Sequence, residues 1–535
     1  MSLLAIPLQP EPAPPATLAS PPPAPPAPRY IAIDRNQNRF CSLVVERLID
    51  DDHPARKIWH LLGQLDLSGF EQHVRAVEGH VGRNAHSPRL LIAVWIYAYS
   101  RGLHSAREIE RQMEYEPALR WLSGLETVNH HTLSDFRVAH GEALHELFVQ
   151  VLGMLTMQGL ITLERVATDG TKIRANVNKK TFTREQKVRE HLAVAREHVA
   201  ELERQEAHEQ TTKRQQAARE RARREQAERL EEALAEVQKL QAAKKQTKRP
   251  PKKEEGGDQA AGIKKEKQKE PQVSITDPQA RFMKTSDNGV APSFNVQVTA
   301  DGEYGLIVDV EVVNDPQDSQ QLIPAMDRTA ANCGSDPRQA LADGGYTNHE
   351  SVVAMAERRI DYYGSLTGRT EQLSGRAAQQ HPDYERGKFG YDEKRDEKIC
   401  PEGKRLGHKT TQQLSGGREI KVWAASAADC RACPAQKNCC PGNSLKSHGR
   451  TVSEQTVHAA FAEFDEKMQS EAGKAIYKKR GPLIEFPNAW FKEKLKLRRF
   501  VTRGLKKVRC ETFWAALTYN FQTYFRLQNE LAPAG

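Results

Sequence analysis

The sequence contains no long apolar segment. No run of about 18 apolar residues occurs in the chain, which argues against a membrane-spanning helix. The first residues, MSLLAIPLQPEPAPP, also lack the basic flank and the extended apolar stretch of a secretory signal. We therefore expect a cytoplasmic protein that has no membrane partner.

Cysteine is infrequent and unevenly placed. Of the 8 cysteines, five fall in one stretch: Cys400, Cys430, Cys433, Cys439 and Cys440. Such clustering in a long intracellular chain favours a metal site over disulfides. Cys430 and Cys433 have the spacing of a zinc knuckle, and Cys400 with Cys439 or Cys440 would complete a structural Zn²⁺ site. Reduced thiols in a loop-rich segment are the alternative. We expect this Cys-bearing insertion over residues 371 to 460.

Glycine and proline are both absent from residues 181 to 249. Apolar residues around Leu192 recur at alternating steps of four and three, and the pattern returns around Leu234. Both stretches are heptad seams, and each requires a partner helix. We expect an insertion over residues 181 to 270 that folds back as a helical hairpin and continues into a flexible basic linker. One long helix that crosses solvent is the alternative.

The chain is long and basic. With 535 residues it exceeds one ordinary core, so several packed units are expected. Its 79 Lys and Arg against 70 Asp and Glu give a net charge of +9 and a pI near 9.0. This charge favours a polyanionic partner, since Lys and Arg that neutralise phosphates release counterions from nucleic acid. A basic protein with no such partner is the alternative.

The N-terminal region is helical after a tail rich in proline and alanine, residues 1 to 35, that cannot build a core. The apolar run LLIAVWIYAY stops at Gly102, and Ser105 and Thr132 are candidate first residues of two short helices. Such helices fit a helix-turn-helix unit, whose second helix would bring Arg137 to a DNA major groove. A helical bundle without DNA contact is the alternative. We assign this DNA-binding domain to residues 36 to 155.

Short apolar strands follow, separated by helices. LITLERVATDG predicts a buried strand that ends at Asp169 before a glycine turn, and another strand ends at Asp343. FNVQVTA and LIVDVEVV flank the turn DGEYG and predict a β-hairpin, and RIDYYGSL predicts one more strand. The order predicts an α/β (α+β) fold, a mixed sheet covered by helices, built from residues 156 to 180, 271 to 370 and 461 to 535.

Asp169 and Asp343 are candidate metal ligands. Carboxylates at the edge of a sheet suit Mg²⁺, which prefers oxygen ligands on a rigid support. Each aspartate alone is more readily explained as a turn residue, but two of them on one sheet favour a site. Glu485, Glu493 and Glu511 are candidates for a third carboxylate, and we favour Glu485 because it lies between the basic segment YKKR and Lys492. A basic helix that binds phosphates without catalysis is the alternative.

Four segments carry a family resemblance: ATDGTKIRAN, TDPQARFMK with FNVQV, ADGGYTN, and RFVTRGLKKVRCETFWAALTYNFQ. With them, the chain resembles the DDE transposases of bacterial insertion sequences. A late signature of that family runs Tyr, two residues, Arg, a short gap, Glu, six residues and Lys. Tyr477, Arg480, Glu485 and Lys492 reproduce it, with one residue more than usual between Arg480 and Glu485.

The resemblance implies a ribonuclease-H-like core in which Asp169, Asp343 and Glu485 hold two Mg²⁺ or Mn²⁺ ions per active site. It implies cleavage and strand transfer, with double-stranded DNA of the terminal repeats and of the target as substrates. It further implies a homo-oligomer, a dimer in the synaptic complex, and a bacterial protein associated with the nucleoid. The side chains expected to contact DNA are Tyr477, Arg480, Lys492, Arg137 and Arg503.

Three other functions remain open at this point. A transposase-derived protein could bind DNA without catalysis, or could act as a coiled-coil adaptor through the heptad seams. A metal-dependent nuclease could cut DNA without transferring strands.

Overall fold

The computed structural model describes residues 42–72, 74, 76, 84–204, 213–247, 270–285, 289–365, 381–414, 418–440, 447–455 and 458–531. The predicted proline-rich tail and residues 248–269 of the predicted basic linker lie outside these ranges. No helix within them is long and apolar enough to cross a membrane. From Val45 onward the chain clusters into one unit.

Helices and strands are numbered here in chain order. The helices are α1 (Pro54–Leu62), α2 (Pro88–Ser100), α3 (Ala106–Gln112), α4 (Pro117–Ser123), α5 (His130–Ala139), α6 (Gly141–Met157), α7 (Glu185–Arg204), α8 (Lys213–Thr247), α9 (Leu322–Cys333), α10 (His349–Glu357), α11 (Ala427–Arg431), α12 (Gln436–Cys439), α13 (Ala459–Gln469), α14 (Glu471–Tyr477), α15 (Arg480–Glu493) and α16 (Leu505–Leu531). The strands are β1 (Val166–Arg174), β2 (Phe182–Thr183), β3 (Val273–Ser274), β4 (Arg281–Lys284), β5 (Val290–Asp301), β6 (Ile307–Val313), β7 (Gln339–Ala342), β8 (Asp361–Tyr363), β9 (Gly390–Asp392), β10 (Glu397–Ile399), β11 (Arg405–Leu414), β12 (Arg418–Ala425) and β13 (Thr451–Gln455). Short 3-10 helices lie at Val45–Leu48, Ser68–Phe70, Lys179–Thr181, Pro382–Tyr384 and Arg386–Lys388.

Local signals explain where the N-terminal helices begin. Proline occupies the first position of α2, where its missing N–H costs no hydrogen bond. The Ser105 side chain accepts a hydrogen bond from the Glu108 amide, so Ser105 caps α3 as predicted. The prediction that Thr132 starts the next helix is wrong, because α5 begins at His130 with Asn129 as its cap.

Helix α5 is enclosed by other helices. Trp95 of α2 donates a hydrogen bond to the Leu133 carbonyl (3.1 Å), and Trp514 of α16 donates one to the Arg137 carbonyl (3.0 Å). The Arg137 side chain is 4% exposed, donates to the His104 carbonyl at 2.7 Å and stacks over the Trp95 ring. These contacts correct the prediction that Arg137 reaches DNA, because they hold its guanidinium inside the helical core.

A six-stranded mixed sheet forms the centre of the structure, in the order β6-β5-β1-β7-β8, with β4 sharing the outer edge of β5. β5 is antiparallel to β1 and β6, whereas β1, β7 and β8 are parallel. The mixed α/β class and the predicted β5–β6 hairpin are therefore confirmed. One detail is wrong: β1 does not end at Asp169 but continues to Arg174, because its pairing with β5 extends to Ser293.

Helices cover the sheet through buried polar contacts as well as apolar ones. The Asn332 side chain of α9 donates to the Val308 carbonyl at 3.1 Å. The Asn520 side chain of α16 bonds both the amide and the carbonyl of Ile307. The N-terminal helices, the sheet and α16 share one apolar core, so the described part of residues 36 to 155 has no separate core.

The two heptad seams pack against each other. Val188 of α7 lies with Val237 of α8, and Leu192 lies with Leu230, so the helices run antiparallel. The short β2–β3 ladder joins the chain on either side of this pair. Both seams thus have a partner within the chain.

A second sheet carries the cysteine-containing region. Its five antiparallel strands follow the order β13-β12-β11-β10-β9 and enclose a small core around Leu406, Trp423 and Val452. This sheet was not predicted, because polar residues fill much of strands such as RLGHKTTQQL, and the sequence there reads as a loop.

Candidate functional site

Two aspartates lie side by side on neighbouring parallel strands. Thr168 of β1 pairs with Ala342, the last residue of β7. Asp169 follows Thr168 within β1, and Asp343 follows Ala342 directly after the end of β7. The Asp169 carboxylate accepts the Gly170 amide, and the Asp343 carboxylate accepts the Gly345 amide, both at 2.8 Å. β7 ends at Ala342 while β1 continues to Arg174, so the two carboxylates lie at the point where β1 extends beyond its parallel neighbour.

Charge and burial make this pair unusual. Burial raises the pKa of Asp169 to about 6, against the lowering effect of the Gly170 amide. The neighbouring charge of Asp343 raises that pKa further, and Arg480 lowers it. A second carboxylate that disfavours the charged form of Asp169 suits a divalent cation, which relieves the repulsion and accepts oxygen ligands. Among the described side chains, no three His, Cys, Asp or Glu residues already surround one ion position.

Helix α15 lies against this pair. It continues through Pro487, which is buried, and it packs on β1 and β5. The Asn488 side-chain amide donates to the Asp169 carboxylate at 3.3 Å, and its other atom, Oδ1, is buried without a hydrogen-bond partner. Asn488 was not predicted as a site residue, since nothing local to α15 identifies which helical position faces β1.

Glu485 lies on the same helix, three residues before Asn488. Its side chain is exposed, and Oε1 lies 3.4 Å from the position that a Cβ on Gly481 would take. The structure therefore brings Asp169 and Asp343 together and places Glu485 on the adjacent helix, with its carboxylate turned back along the helix axis.

The two other candidate carboxylates have structural partners. Glu511 is fully buried and accepts hydrogen bonds from the backbone amides of Val501 and Thr502. Glu493 is exposed and forms an ion pair with Arg498. Of the three glutamates, Glu485 remains the candidate ligand.

A buried polar cluster supports β1 on the face opposite the Asp169 side chain. Lys172 forms an ion pair with Asp318 at 3.1 Å. Asn295 and Gln297 of β5 donate to the same Asp318 oxygen at 2.7 and 2.8 Å. Asp318 also contributes to raising the Asp169 pKa. It lies in the polar segment before α9, and no sequence pattern marks it.

Gly170 lets this cluster approach the strand. A Cβ at this position would lie 2.5 Å from Asp318 Oδ1 and 2.7 Å from Gln297 Nε2. The glycine is therefore needed for close packing and does not form the turn that the sequence predicted.

We expect Gly170→Ala to destabilise the fold by about 2 kcal/mol, because an overpacked site must displace buried polar groups. It should also shift Asp169, which precedes it on the same strand. Gly153→Ala is the matched control, since nothing lies within 4 Å of its added Cβ. Thermal unfolding measures both variants. Equal melting temperatures for the two would contradict this account of Gly170.

The remaining predicted DNA contacts differ in exposure. Tyr477 is half-buried, and burial raises its pKa, with Arg480 hydrogen-bonded beside it and Asp343 nearby. Lys492 is half-buried on α15. Arg503 is exposed and donates to the Asn176 carbonyl at 2.9 Å.

Two protein-family models match the chain. One, described as a transposase DDE domain, matches residues 399–525, and the other, described as a transposase domain (DUF772), matches residues 43–139. The first range includes Glu485, and Asp169 and Asp343 lie outside both. No curated protein and no solved structure matches the chain.

Both family models describe transposase domains, and together they indicate a transposase. More narrowly, the pair of matches indicates a DDE transposase of the insertion-sequence type. The family resemblance of the sequence is thereby confirmed. The first match also includes strands β11, β12 and β13 of the cysteine-containing sheet, whereas β9 and most of β10 precede it.

Proposed function

We propose that the protein cuts the ends of its own mobile element and joins them to target DNA, with two Mg²⁺ or Mn²⁺ ions per active site. The observation that carries this proposal is the adjacent pair Asp169 and Asp343, beside the helix that carries Glu485. Its substrates are double-stranded terminal repeats and target DNA, and its active form is a homodimer that pairs two ends.

A ribonuclease-H-like core is part of the proposal. The sheet order supports it, since strands on one side of β1 are antiparallel and those on the other side are parallel. The two aspartates lie where these halves meet, on the central strand and its parallel neighbour. Such a position is rigid, as a metal site on a sheet should be.

Asp169, Asp343 and Glu485 would hold the ions. When bound, two such ions activate water or a 3′-hydroxyl and stabilise the leaving oxygen. Asn488 fixes the orientation of the Asp169 carboxylate through its hydrogen bond, as outer-shell partners of metal ligands do. A rotation of the exposed Glu485 side chain away from Gly481 would direct its carboxylate off the helix axis.

Basic and aromatic side chains near the pair would position DNA. The charge of Arg480 already acts on Asp169, so its guanidinium can meet a phosphate that approaches the carboxylates. Lys492 on α15 would contact phosphates further along the strand, and Tyr477 would contact the backbone or a displaced base. Arg503 is a further phosphate contact on the exposed segment before α16.

The Asp169 pKa predicts how pH and metal affect stability. Because the folded-state pKa is raised from 3.8 to about 6, the protonated carboxyl stabilises the fold, and this contribution is lost as pH rises through about 6. Metal binding requires the ionised form. We expect Mn²⁺ to raise the melting temperature at about pH 8 and to have little effect at about pH 5.

Asp169→Asn should remove this metal effect and leave the metal-free protein at least as stable at about pH 8 as the unsubstituted protein. Asp327→Asn, at an exposed aspartate of α9, should retain the effect. A Mn²⁺-induced shift of equal size at both pH values would show that Asp169 does not bind the ion.

The test of function is a joining assay with purified protein, a duplex that carries the element end, and a supercoiled target plasmid. Strand transfer that depends on Mg²⁺ or Mn²⁺ is the expected result. Cutting without joining would instead identify a nuclease. Binding without cutting would identify an inactive DNA-binding protein or an adaptor.

A further inference from the structure

Five cysteines from the turn and helices beside the second sheet line one small space. Its lining includes Cys400, Cys430, Cys433, Cys439 and Cys440, and the space at its centre is about 20 Å³, enough for one water-sized sphere. The cysteines are not paired as disulfides. Free thiols that line one small space can supply the ligands of a thiolate metal site.

Local structure holds these thiols in place. Cys400 follows β10, and its sulfur accepts the Lys404 amide at 3.2 Å. Cys430 lies in α11, and its sulfur accepts the Arg450 amide at 3.3 Å from the segment before β13. Amide donors to sulfur stabilise the thiolate form that binds metal and orient the ligand, as outer-shell hydrogen bonds do in metal sites.

The sheet around this space has a small apolar core of its own. That core consists of Phe389, Leu406, Trp423, Ala425 and Val452 together with two of the cysteines. Units with so few core residues commonly need a metal or disulfides to remain folded. Since the cysteines are unpaired in the structure, a metal is the stabilising element that the residues can supply.

We propose that this cluster binds one structural Zn²⁺ through Cys400, Cys430, Cys433 and one of the adjacent pair Cys439 and Cys440. Zn²⁺ is the fitting ion, because four thiolates in a closed tetrahedral set are its usual structural site. Among the described side chains, no three possible ligands are already placed around one ion position, so zinc binding requires the cysteine side chains to rotate into a closed set. The ion ties the turn after β10 to the helices α11 and α12, at a distance along the chain from the catalytic carboxylates.

The test is metal analysis of the full chain, purified without a histidine tag or chelator, loaded with Zn²⁺ and desalted. We expect about one zinc per chain in the unsubstituted protein. The zinc content should fall about tenfold or more in Cys430→Ser and in Cys433→Ser. Cys333→Ser, in α9, and Asp343→Asn should keep their zinc, which excludes binding at unrelated thiols or at the carboxylates. Cys439→Ser and Cys440→Ser compared with each other identify the fourth ligand.

A second measurement does not depend on variants that fold. Co²⁺ substituted into the unaltered protein should give the intense thiolate-to-metal charge-transfer absorption and the d–d bands of a tetrahedral site. Chelation should then make four further thiols reactive toward a thiol reagent. Absence of zinc after loading, with no cobalt bands and no change in thiol reactivity on chelation, would overturn the proposal.

Discussion

Asp343→Asn is expected to abolish metal-dependent cleavage while leaving DNA binding intact. The amide keeps the shape of the carboxylate and can still accept the Gly345 amide, so the turn after β7 should persist. It removes the negative charge that, with Asp169, would attract the ions. If ion binding contributes about 4 kcal/mol to the transition state, cleavage should fall about 1,000-fold or more.

Cleavage of a labelled end duplex with Mg²⁺ measures the loss, and an electrophoretic shift assay without metal measures binding. Asp327→Asn is the matched control, since it makes the same chemical change on the surface of α9. Normal cutting by a clean Asp343→Asn preparation would disprove the assignment of this residue to the active site.

The position of the aspartate pair follows from the sequence, but the reach of β1 does not. Apolar runs that end in Asp169 and Asp343 indicated two strands, and parallel pairing then places their ends together. Strand length depends on the partner, however, and β5 pairs with β1 through residues that look like a turn in isolation. The prediction of a turn at Gly170 was therefore wrong, because the role of this glycine depends on Asp318, which packs against it.

Arg137 shows that a charged side chain cannot be assumed to lie at the surface. Its sequence context, a short helix in a basic chain, suits a DNA contact. Its position in the core depends on the Trp95 ring, which stacks on its guanidinium, and on the His104 carbonyl, which accepts its hydrogen bond from 33 residues away in sequence. A buried arginine with such partners cannot be distinguished from an exposed one without the tertiary structure.

Site residues that act through a partner are harder to predict than ligands. Asn488 contacts Asp169 across 319 residues of sequence, and the contact depends on how α15 packs against β1. Glu485, three residues earlier on the same helix, was predicted as a ligand because a carboxylate among cations is visible in the sequence. The sequence thus reveals candidate charges, whereas the groups that orient them depend on packing.

Glu485→Gln and Glu511→Gln are expected to have opposite effects. Glu485 is exposed, so the amide should leave the melting temperature unchanged while cleavage falls about 1,000-fold, as for loss of a metal ligand. Glu511 is buried and accepts the amides of Val501 and Thr502, so its replacement should cost about 3 kcal/mol of stability. Cleavage per folded molecule should persist.

Both variants are measured by thermal unfolding and by end cleavage at a temperature where each remains folded. Glu493→Gln serves as a control on α15, because it alters an exposed ion pair that contributes little to stability. If Glu485→Gln cut normally while Glu511→Gln, still folded, lost cutting, the third ligand would be Glu511. Such a result would require the segment from Val501 to Thr502 to release that carboxylate when DNA binds, since in the structure its oxygens are occupied by backbone amides.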